Sequence, residues 1–282
     1  MTGEHTDIDA LVTLLVWDAH EAASRLLESL ARGVADRARW RLLILDQGSE
    51  RRTAELLAGF ANSRPGIISL HRVPENIGYP AGHNRLHALA CERCSSRYHV
   101  TLNSDVALHS THWLDMLVDF MDARPTVGIA GPTGVVYQRE PPHRLGWCRL
   151  ATASELQAGR FDSISGSVCI MRQAMIESIG LFDETYTPGY YEDTDLAFRA
   201  KACGWALAIC PLPHAHHDLG EAQSTAHIKR EVLAARYGNF QKRNRDVFVK
   251  RWLAHPGVDL SPDMIRERFP SVYLPTARVV SC

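Results

Sequence analysis

The chain contains 282 residues, with 31 Lys and Arg against 32 Asp and Glu, a formal net charge of -1 and 45% hydrophobic residues. This balance excludes a protein that binds nucleic acid mainly by neutralising phosphates. No apolar run approaches the roughly 20 residues that a transmembrane helix needs, and the polar, acidic first ten residues do not resemble a secretory signal. We therefore expect a cytoplasmic protein with no transmembrane segment and no nucleic-acid partner.

The first half of the chain alternates short apolar strands with amphipathic helices. Strands are predicted at residues 11–17, 41–45, 67–70 and 98–102, and helices at residues 19–32, 53–60 and 81–94. This alternation is typical of βαβ units and predicts a mostly parallel sheet covered by helices on both faces. Ligands of such sheets bind beyond the carboxyl ends of the strands, where Asp46 and Asp105 lie.

The second half is less regular. Helices are predicted at residues 113–121, 173–179 and 192–203, and strands at residues 127–130, 163–171 and 205–210. Residues 131–162 are predicted to be irregular, and an irregular stretch of this length is usually a functional loop or lid. Beyond residue 217 the chain is predicted to be helical and basic to about residue 253. The one C-x-x-C pair, Cys91 and Cys94, lies in the predicted helix 81–94, and we interpret both as ordinary thiols.

Three nucleotide-binding or hydrolase motifs are absent from the sequence. It contains no G-x-G-x-x-G, no G-x-x-x-x-G-K-[ST] and no G-x-S-x-G. A dinuclear metallo-hydrolase is one alternative, because residues 213–220 read PHAHHDLG. That order places the acid, Asp218, after His217 with no further His, which does not match the usual H-x-H-x-D-H arrangement.

Three carboxylates fall in the first turn of the predicted helix 192–203. Acidic residues favour a helix N-terminus because the helix dipole is positive there, which accounts for Glu192, Asp193 and Asp195 without any catalysis. Helical spacing places Asp193 on the apolar stripe that contains Leu196 and Ala200. Asp195 is predicted to point away from that stripe. A carboxylate aimed inward at the mouth of a sheet suggests a functional role for Asp193.

Several short segments occur in an order that resembles a known family. They are DQGS at 46–49, NIGYPAGHN at 76–84, LNSD at 102–105, SG at 165–166, GLFDE at 180–184, YYEDTDL at 190–196, and a His at 217 followed by Gly220. Together they resemble the family-2 glycosyltransferases, GT-A-fold enzymes that transfer a sugar from a nucleotide donor with inversion. The likeness is strongest to the rhamnosyltransferase-like branch and extends over about residues 10–250.

The resemblance implies an α/β GT-A fold, a Rossmann-like, mostly parallel sheet flanked by helices, with a helical C-terminal extension. The catalytic domain would span residues 8–220, with a nucleotide-binding half at about 8–106 and an acceptor-binding half at about 107–220. Residues 221–282 would form the extension and a tail.

The resemblance also implies a set of binding residues. Asp46 would contact the nucleotide base, Gly166 and the loop 131–162 would line the acceptor side, and four residues would form walls of the donor pocket: Asn76, Gly78, Gly82 and Asn84. Each of these residue types also suits a turn or a helix start, so a structural role is the alternative. The first strand departs from the family pattern, with Trp17 and Asp18 in place of an aromatic residue and Asn.

A divalent metal, Mg²⁺ or Mn²⁺, is the implied cofactor. Asp105 stands at the position of the metal-binding aspartate, and His217, ahead of His216 and His214, matches the family's second metal ligand. The usual D-x-D motif begins here with Asn103, which removes one charge from the site and could instead contact the ribose or the sugar. A turn at a strand end is the alternative reading of residues 103–105.

The implied catalytic base is Asp193, the aspartate of an acidic pair with Glu192. The donor remains open between dTDP-rhamnose and a UDP-hexose. The acceptor remains open among a saccharide, a lipid-linked molecule and a small natural product, and a homodimer is compatible with the sequence. A non-catalytic sugar-nucleotide binding protein is the second functional alternative, although such a protein would need no base.

Overall fold

The computed structural model describes residues 6–32, 39–140, 144–212, 215–217, 231–252 and 271–273. Its centre is an eight-stranded sheet in the order β13-β11-β6-β10-β4-β1-β2-β3. The strands are β1 (Thr6–Val16), β2 (Trp40–Gln47), β3 (Ile68–Val73), β4 (Cys94–Asn103), β5 (Val106–Leu108), β6 (Val127–Gly131), β7 (Gly134–Glu140), β8 (Arg144–Leu150), β9 (Ser163–Ile164), β10 (Val168–Arg172), β11 (Ala206–Ile209), β12 (Ala215–His217) and β13 (Ser271–Tyr273). Among the described strands of this sheet, only β10 runs antiparallel to its neighbours, so the predicted, mostly parallel α/β fold is confirmed.

The helices follow the strands in chain order. They are α1 (His20–Arg32), α2 (Arg51–Ser63), α3 (Tyr79–Cys91), α4 (Trp113–Asp122), α5 (Ala153–Gln157), α6 (Gln173–Ile179), α7 (Glu192–Ala202), α8, of which residues 231–237 are described, and α9 (Phe240–Trp252). A 3₁₀ turn, Glu184–Tyr186, precedes α7. No helix in the described part of the chain is long and apolar enough to cross a membrane.

The sheet is buried on both faces, as a parallel sheet should be. Successive residues of β1 alternate between two cores because side chains of a strand alternate in direction. Val12 and Leu14 pack with α1, α2 and α4, whereas Leu11 packs with Leu86 of α3. A third core lies between the sheet and helices α6 and α7. These layers fix the carboxyl ends of β1 and β4 next to the start of α7.

Three predictions about local structure are wrong. The strand predicted at 163–171 is interrupted, since β9 ends at Ile164 and β10 begins at Val168. Residues 131–162 are not an irregular loop, because β7 and β8 pair as an antiparallel hairpin and the short helix α5 follows. The prolines at 141 and 142 lie between these two strands in the sequence and made the stretch look irregular. The predicted helix 81–94 ends at Cys91, and Cys94 begins β4, where pairing with Thr6 of β1 overrides the helical pattern.

The C-terminal segments contact the central sheet and α7. Strand β13 extends the central sheet by pairing parallel to β11. Helix α9 packs against α7, with the ring centroids of Phe198 and Phe248 5.1 Å apart in an edge-to-face arrangement. Phe248 is fully buried. The predicted boundary at residue 220 stays a prediction.

Candidate active site

A cavity of about 690 Å³ opens at the carboxyl ends of β1 and β4. Its volume falls within the range of small-molecule pockets. The first turn of α7 contributes Glu192 and Asp193, and the segment after β4 contributes Asn103, Ser104 and Asp105. The site therefore brings together both acidic segments that the sequence singled out, which are separated by almost 90 residues in the chain.

The Glu192 and Asp193 carboxylates occupy different surroundings. Asp193 accepts hydrogen bonds at Oδ2 from the backbone N–H of Gly166, at 3.3 Å, and at Oδ1 from the backbone N–H of Thr194, at 2.6 Å. Glu192 is only 8% exposed, and within the described residues its Oε2 has no hydrogen-bond partner. Asp193 is thus the better stabilised of the two when it carries a charge.

Burial raises the pKa of both carboxyls. The pKa of Glu192 lies well above its usual value because of burial first and the neighbouring charge of Asp193 second. Burial also raises the pKa of Asp193, while the N–H groups of Gly166 and Thr194 oppose the rise. We conclude that the first negative charge of the pair resides on Asp193 and that Glu192 keeps its proton to a higher pH.

The chain enters α7 through an unusual turn. Tyr190 and Tyr191 both have left-handed backbone conformations, with φ of 73° and 74°. Such conformations are costly for residues other than glycine and cluster at functional sites. Both residues line the cavity. Tyr190 is 49% exposed, and Tyr191 is buried with its ring against Phe248, the ring centroids being 5.5 Å apart.

The prediction that Asp195 points outward is wrong. Its side chain is fully buried, and it accepts four hydrogen bonds. The donors are Tyr186 Oη at 3.1 Å, Arg199 Nε at 2.8 Å, Arg251 Nη1 at 2.9 Å and Trp252 Nε1 at 2.9 Å. Two of these donors belong to α9, which covers the face of α7 that helical spacing alone assigned to solvent.

The segment after β4 lies beside the His-rich segment. Strand β12 pairs antiparallel with β5, with His217 opposite Val106 and His216 opposite Ala107. The backbone of His217 is therefore adjacent to the residue that follows Asp105. His214 lies outside the described residues. Among the side chains that are described, no group of three His, Cys, Asp or Glu residues is placed to hold a metal on its own.

Asp46 is placed differently from the cavity-lining residues. It is 1% exposed, accepts a hydrogen bond from the backbone N–H of Ser49 at 2.8 Å and lies 3.4 Å from Nε of Arg72. The next residue, Gln47, lines the cavity instead. In the structure, the Asp46 carboxylate thus accepts a hydrogen bond within a turn and pairs with Arg72. Its contact with a nucleotide base stays a prediction.

The four predicted walls of the donor pocket divide into two groups. Asn76 lines the cavity, whereas Gly78, Gly82 and Asn84 lie behind it. A Cβ on Gly78, which has a φ of +92°, would come within 2.8 Å of Pro188 Cα, and a Cβ on Gly82 would come within 2.8 Å of Leu15 Cδ1. These glycines permit close approach of the segments that form the cavity.

Asn84 and Gly166 also hold segments of the site together. The Asn84 amide bonds both backbone groups of Phe182, donating to the carbonyl at 2.8 Å and accepting from the N–H at 3.1 Å. Gly166, which does line the cavity, lies in the break between β9 and β10. A Cβ there would come within 2.5 Å of Tyr79 Oη, which donates to the Gly166 carbonyl at 2.9 Å.

Several cavity residues had no individual role assigned from the sequence. They are Gln47, Tyr79, Val135, Arg149, Leu150, Tyr190, Leu233 and Gln241. Leu150 of the β7–β8 hairpin is 51% exposed. The C-terminal segment closes another side: Tyr237 Oη donates to the Asn76 carbonyl at 3.3 Å, and Arg236 does so at 3.2 Å.

Solved structures show the same fold. A mannosyltransferase from Pyrobaculum calidifontis, solved with GDP-Man and Mn²⁺, has a TM-score of 0.58 and 15% identity over 95% of this chain and 76% of its own. TarS 1–349 from S. aureus has a TM-score of 0.56 and 13% identity over 93% of this chain and 70% of its own. GalNAc-T7, solved with UDP, GalNAc and Mn²⁺, has a TM-score of 0.57 and 11% identity over 74% of this chain and 43% of its own.

Sequence comparison gives the family. No curated protein matches the chain at a significant level. The model of the family described as "Glycosyl transferase family 2" matches residues 17–179, which is more than half of the 282 residues. That stretch includes β4 with Asn103, the following Asp105, and Gly166. The chain therefore belongs to glycosyl transferase family 2.

Proposed function

We propose that the chain transfers a sugar from a nucleoside-diphosphate sugar to an acceptor hydroxyl with inversion at the anomeric carbon. The observation that carries this proposal is the cavity shared by Glu192 and Asp193 on one side and by Asn103 and Asp105 on the other. The acidic pair supplies a proton acceptor, and the strand-end residues supply oxygen ligands for a diphosphate–metal complex. Family membership supports the same reaction class.

Asp193 acts as the general base. Its Oδ2 and Oδ1 each accept a backbone hydrogen bond, which holds the carboxylate in one orientation. Burial raises its pKa, so that it accepts a proton more readily than an ordinary aspartate. Glu192 holds its proton to a higher pH than Asp193 does, so the first negative charge of the pair falls on Asp193. The acceptor oxygen, once deprotonated, attacks the anomeric carbon from the side opposite the leaving diphosphate, which inverts the configuration.

Asn103, Ser104 and Asp105 fit a divalent metal of the Mg²⁺ or Mn²⁺ type. Their side chains offer an amide oxygen, a hydroxyl and a carboxylate, all of them hard oxygen ligands that line the cavity. Pairing of β12 with β5 brings the backbone of His217 beside them, so we assign His217 as a further ligand. A bound metal would neutralise the diphosphate as a Lewis acid. With Asn103 in place of an acid, the carboxylate of Asp105 carries the charge of this segment.

The donor nucleotide would occupy the side of the cavity formed by Trp17, Gln47 and Asn76. Trp17 offers an aromatic face on which a base can stack, and Gln47 offers both a donor and an acceptor. We propose dTDP-rhamnose or a UDP-hexose as donor, in line with a rhamnosyltransferase-like branch, and include GDP-mannose because the mannosyltransferase neighbour was solved with GDP-Man.

The acceptor, a saccharide, lipid-linked molecule or small natural product, would enter beside Gly166 and the β7–β8 hairpin. Val135, Arg149 and Leu150 line that side, where one cation accompanies two apolar residues. We assign catalysis to residues 8–220. The C-terminal segment contributes Leu233 and Gln241 to the same cavity.

A donor panel tests this function. Wild-type protein is mixed with Mn²⁺ and, in turn, dTDP-rhamnose, UDP-glucose, UDP-GlcNAc and GDP-mannose, and both melting temperature and nucleoside-diphosphate release are recorded. We expect one donor to raise the melting temperature and to release its diphosphate faster in the presence of an acceptor mixture. Stabilisation by a donor without any release, with every acceptor class tested, would favour the non-catalytic binding protein.

A further inference from the structure

Several hydrogen bonds hold the side chain of Asn244 on α9. It is fully buried, and its Nδ2 lies 2.5 Å from the carbonyl oxygen of Tyr186, 2.8 Å from that of Gly189 and 3.3 Å from that of Tyr190. Its Oδ1 accepts from Nη2 of Arg243 at 2.9 Å. The guanidinium can only donate, so it fixes which end of the amide faces the three carbonyls.

These three carbonyls belong to the segment that leads into α7. Tyr190 and Tyr191, in the left-handed region, are the last two residues before Glu192. A non-glycine residue remains in this region only when surrounding contacts compensate for its cost. Asn244 supplies hydrogen bonds from one side, and Phe248, one helical turn later on α9, packs on the Tyr191 ring.

We propose that Asn244 is a positioning residue, which holds the left-handed turn at Tyr190 and Tyr191 and thereby sets the place of Glu192 and Asp193 in the cavity. The inference rests on the proposed function, since it assumes that this acidic pair has a catalytic task. Asn244 does not line the cavity within the described part of the chain. It would act on catalysis through the backbone of another segment, 55 residues earlier in the sequence.

The Asn244→Ala variant removes the donor without adding bulk. A displacement of about 1 Å in a catalytic group can lower turnover by roughly 100-fold, so we expect Asn244→Ala to lower turnover by roughly 10–100-fold. The nucleotide side of the cavity lies on other elements, so the Kd for the nucleoside diphosphate, measured by calorimetry, should stay within about threefold of wild type. Lys242→Ala is the matched control, because Lys242 lies on the exposed face of α9 and pairs only with Asp246 in the described residues.

A double-mutant cycle separates positioning of the turn from general support of the fold. Glycine adopts the left-handed conformation at little cost, so Tyr190→Gly should make the turn less dependent on Asn244. We expect the loss caused by Asn244→Ala to shrink to less than about threefold in the Tyr190→Gly background. An equal loss in both backgrounds, unchanged turnover in Asn244→Ala, or a fall in nucleotide affinity that parallels turnover would overturn the proposal.

Melting temperatures of the same four proteins form a second cycle that needs no turnover. If the wild type transfers no sugar, the proposed function fails. A smaller loss of stability from Asn244→Ala in the Tyr190→Gly background would still support the inference that Asn244 stabilises the left-handed turn. If Asn244→Ala does not fold alone, folding that is restored by Tyr190→Gly supports the proposal. Failure of the double variant to fold contradicts it.

Discussion

The backbone N–H of Gly166 donates to Oδ2 of Asp193 over 3.3 Å, which joins the break between β9 and β10 to the first turn of α7. The same Gly166 receives a hydrogen bond from Tyr79 Oη at its carbonyl, at 2.9 Å. One peptide segment thus connects α3, the central sheet and the proposed base. This connection gives Asp193 a fixed orientation toward the cavity, and the first prediction follows from it.

Asp193→Asn should abolish most of the turnover while it preserves the fold. The variant keeps one oxygen, which can accept from Gly166 or from Thr194 but not from both, and it can no longer take a proton from the acceptor. We expect turnover to fall by roughly 10²–10⁴-fold, the usual range for loss of a general base. Melting temperature and turnover are measured on the same samples, with Asp119→Asn on the exposed face of α4 as control. Retention of wild-type turnover in Asp193→Asn would remove it as the base.

Asp195→Asn should be destabilising, in contrast to what the sequence pattern indicates. The change removes the negative charge that faces Arg199 and Arg251, whose side chains are 20% and 37% exposed. Removal of one partner from a buried ion pair costs about 3–5 kcal/mol, and the partial exposure of both arginines points to the lower end. Urea denaturation gives the free energy of unfolding. Asp246→Asn, at an exposed pair with Lys242, should cost less than about 1 kcal/mol; equal costs at the two positions would contradict this account.

Glu192→Gln should change how stability depends on pH. Burial and the charge of Asp193 raise the pKa of Glu192 well above its ordinary value of 4.5. As the pH rises above 4.5, the unfolded chain releases this proton before the folded protein does, so the wild type loses stability over that interval. Glutamine has no proton to release. The variant should therefore melt higher than wild type at pH 7.5 and equally at pH 4, as measured by calorimetry.

Glu177→Gln is the control for that comparison, because Glu177 is exposed on α6. It should follow the wild-type melting temperature at both pH values. A Glu192→Gln variant that melts below wild type at pH 7.5 would show that the carboxylate form of Glu192 is stabilised in the folded protein.

Asp105→Asn should weaken nucleotide binding only in the presence of metal. Replacement of the carboxylate removes the charge that this segment offers to Mn²⁺, and we expect the Kd for the nucleoside diphosphate with Mn²⁺ to rise by at least roughly 10-fold. With EDTA, Asp105→Asn and wild type should bind equally. His217→Ala should show the same pattern and His216→Ala should not. Equal affinity of the wild-type protein with EDTA and with Mn²⁺ would exclude a metal role in binding.

Local patterns predicted the parts of the site that depend on one element at a time. The apolar run of β4 indicated that residues 103–105 lie at a strand end, and the acidic run indicated where α7 begins. Side-chain direction in α7 depended on a distant partner instead. Asp195 meets Arg251 and Trp252, which are 56 and 57 residues later in the chain, so the periodicity of α7 alone assigned it to solvent.

Sequence patterns also did not predict the turn at Tyr190 and Tyr191. A left-handed turn is normally signalled by glycine or asparagine, and here two tyrosines adopt it because α9 supports them. Gln47 was missed for a different reason. A carboxylate at a strand end is a more obvious ligand for a nucleotide than an amide, so Asp46, one residue earlier, was predicted instead. Its carboxylate faces Ser49 and Arg72 rather than the cavity.

The anomeric configuration of the product tests the central claim most directly. The protein is incubated with the donor identified in the panel and an acceptor that it glycosylates, and the one-bond carbon–hydrogen coupling at the anomeric carbon of the product is measured by NMR. If Asp193 deprotonates the acceptor for direct attack, the product has the configuration opposite to that of the donor. A product that retains the donor configuration would contradict transfer by a single displacement and the role of Asp193 as its base.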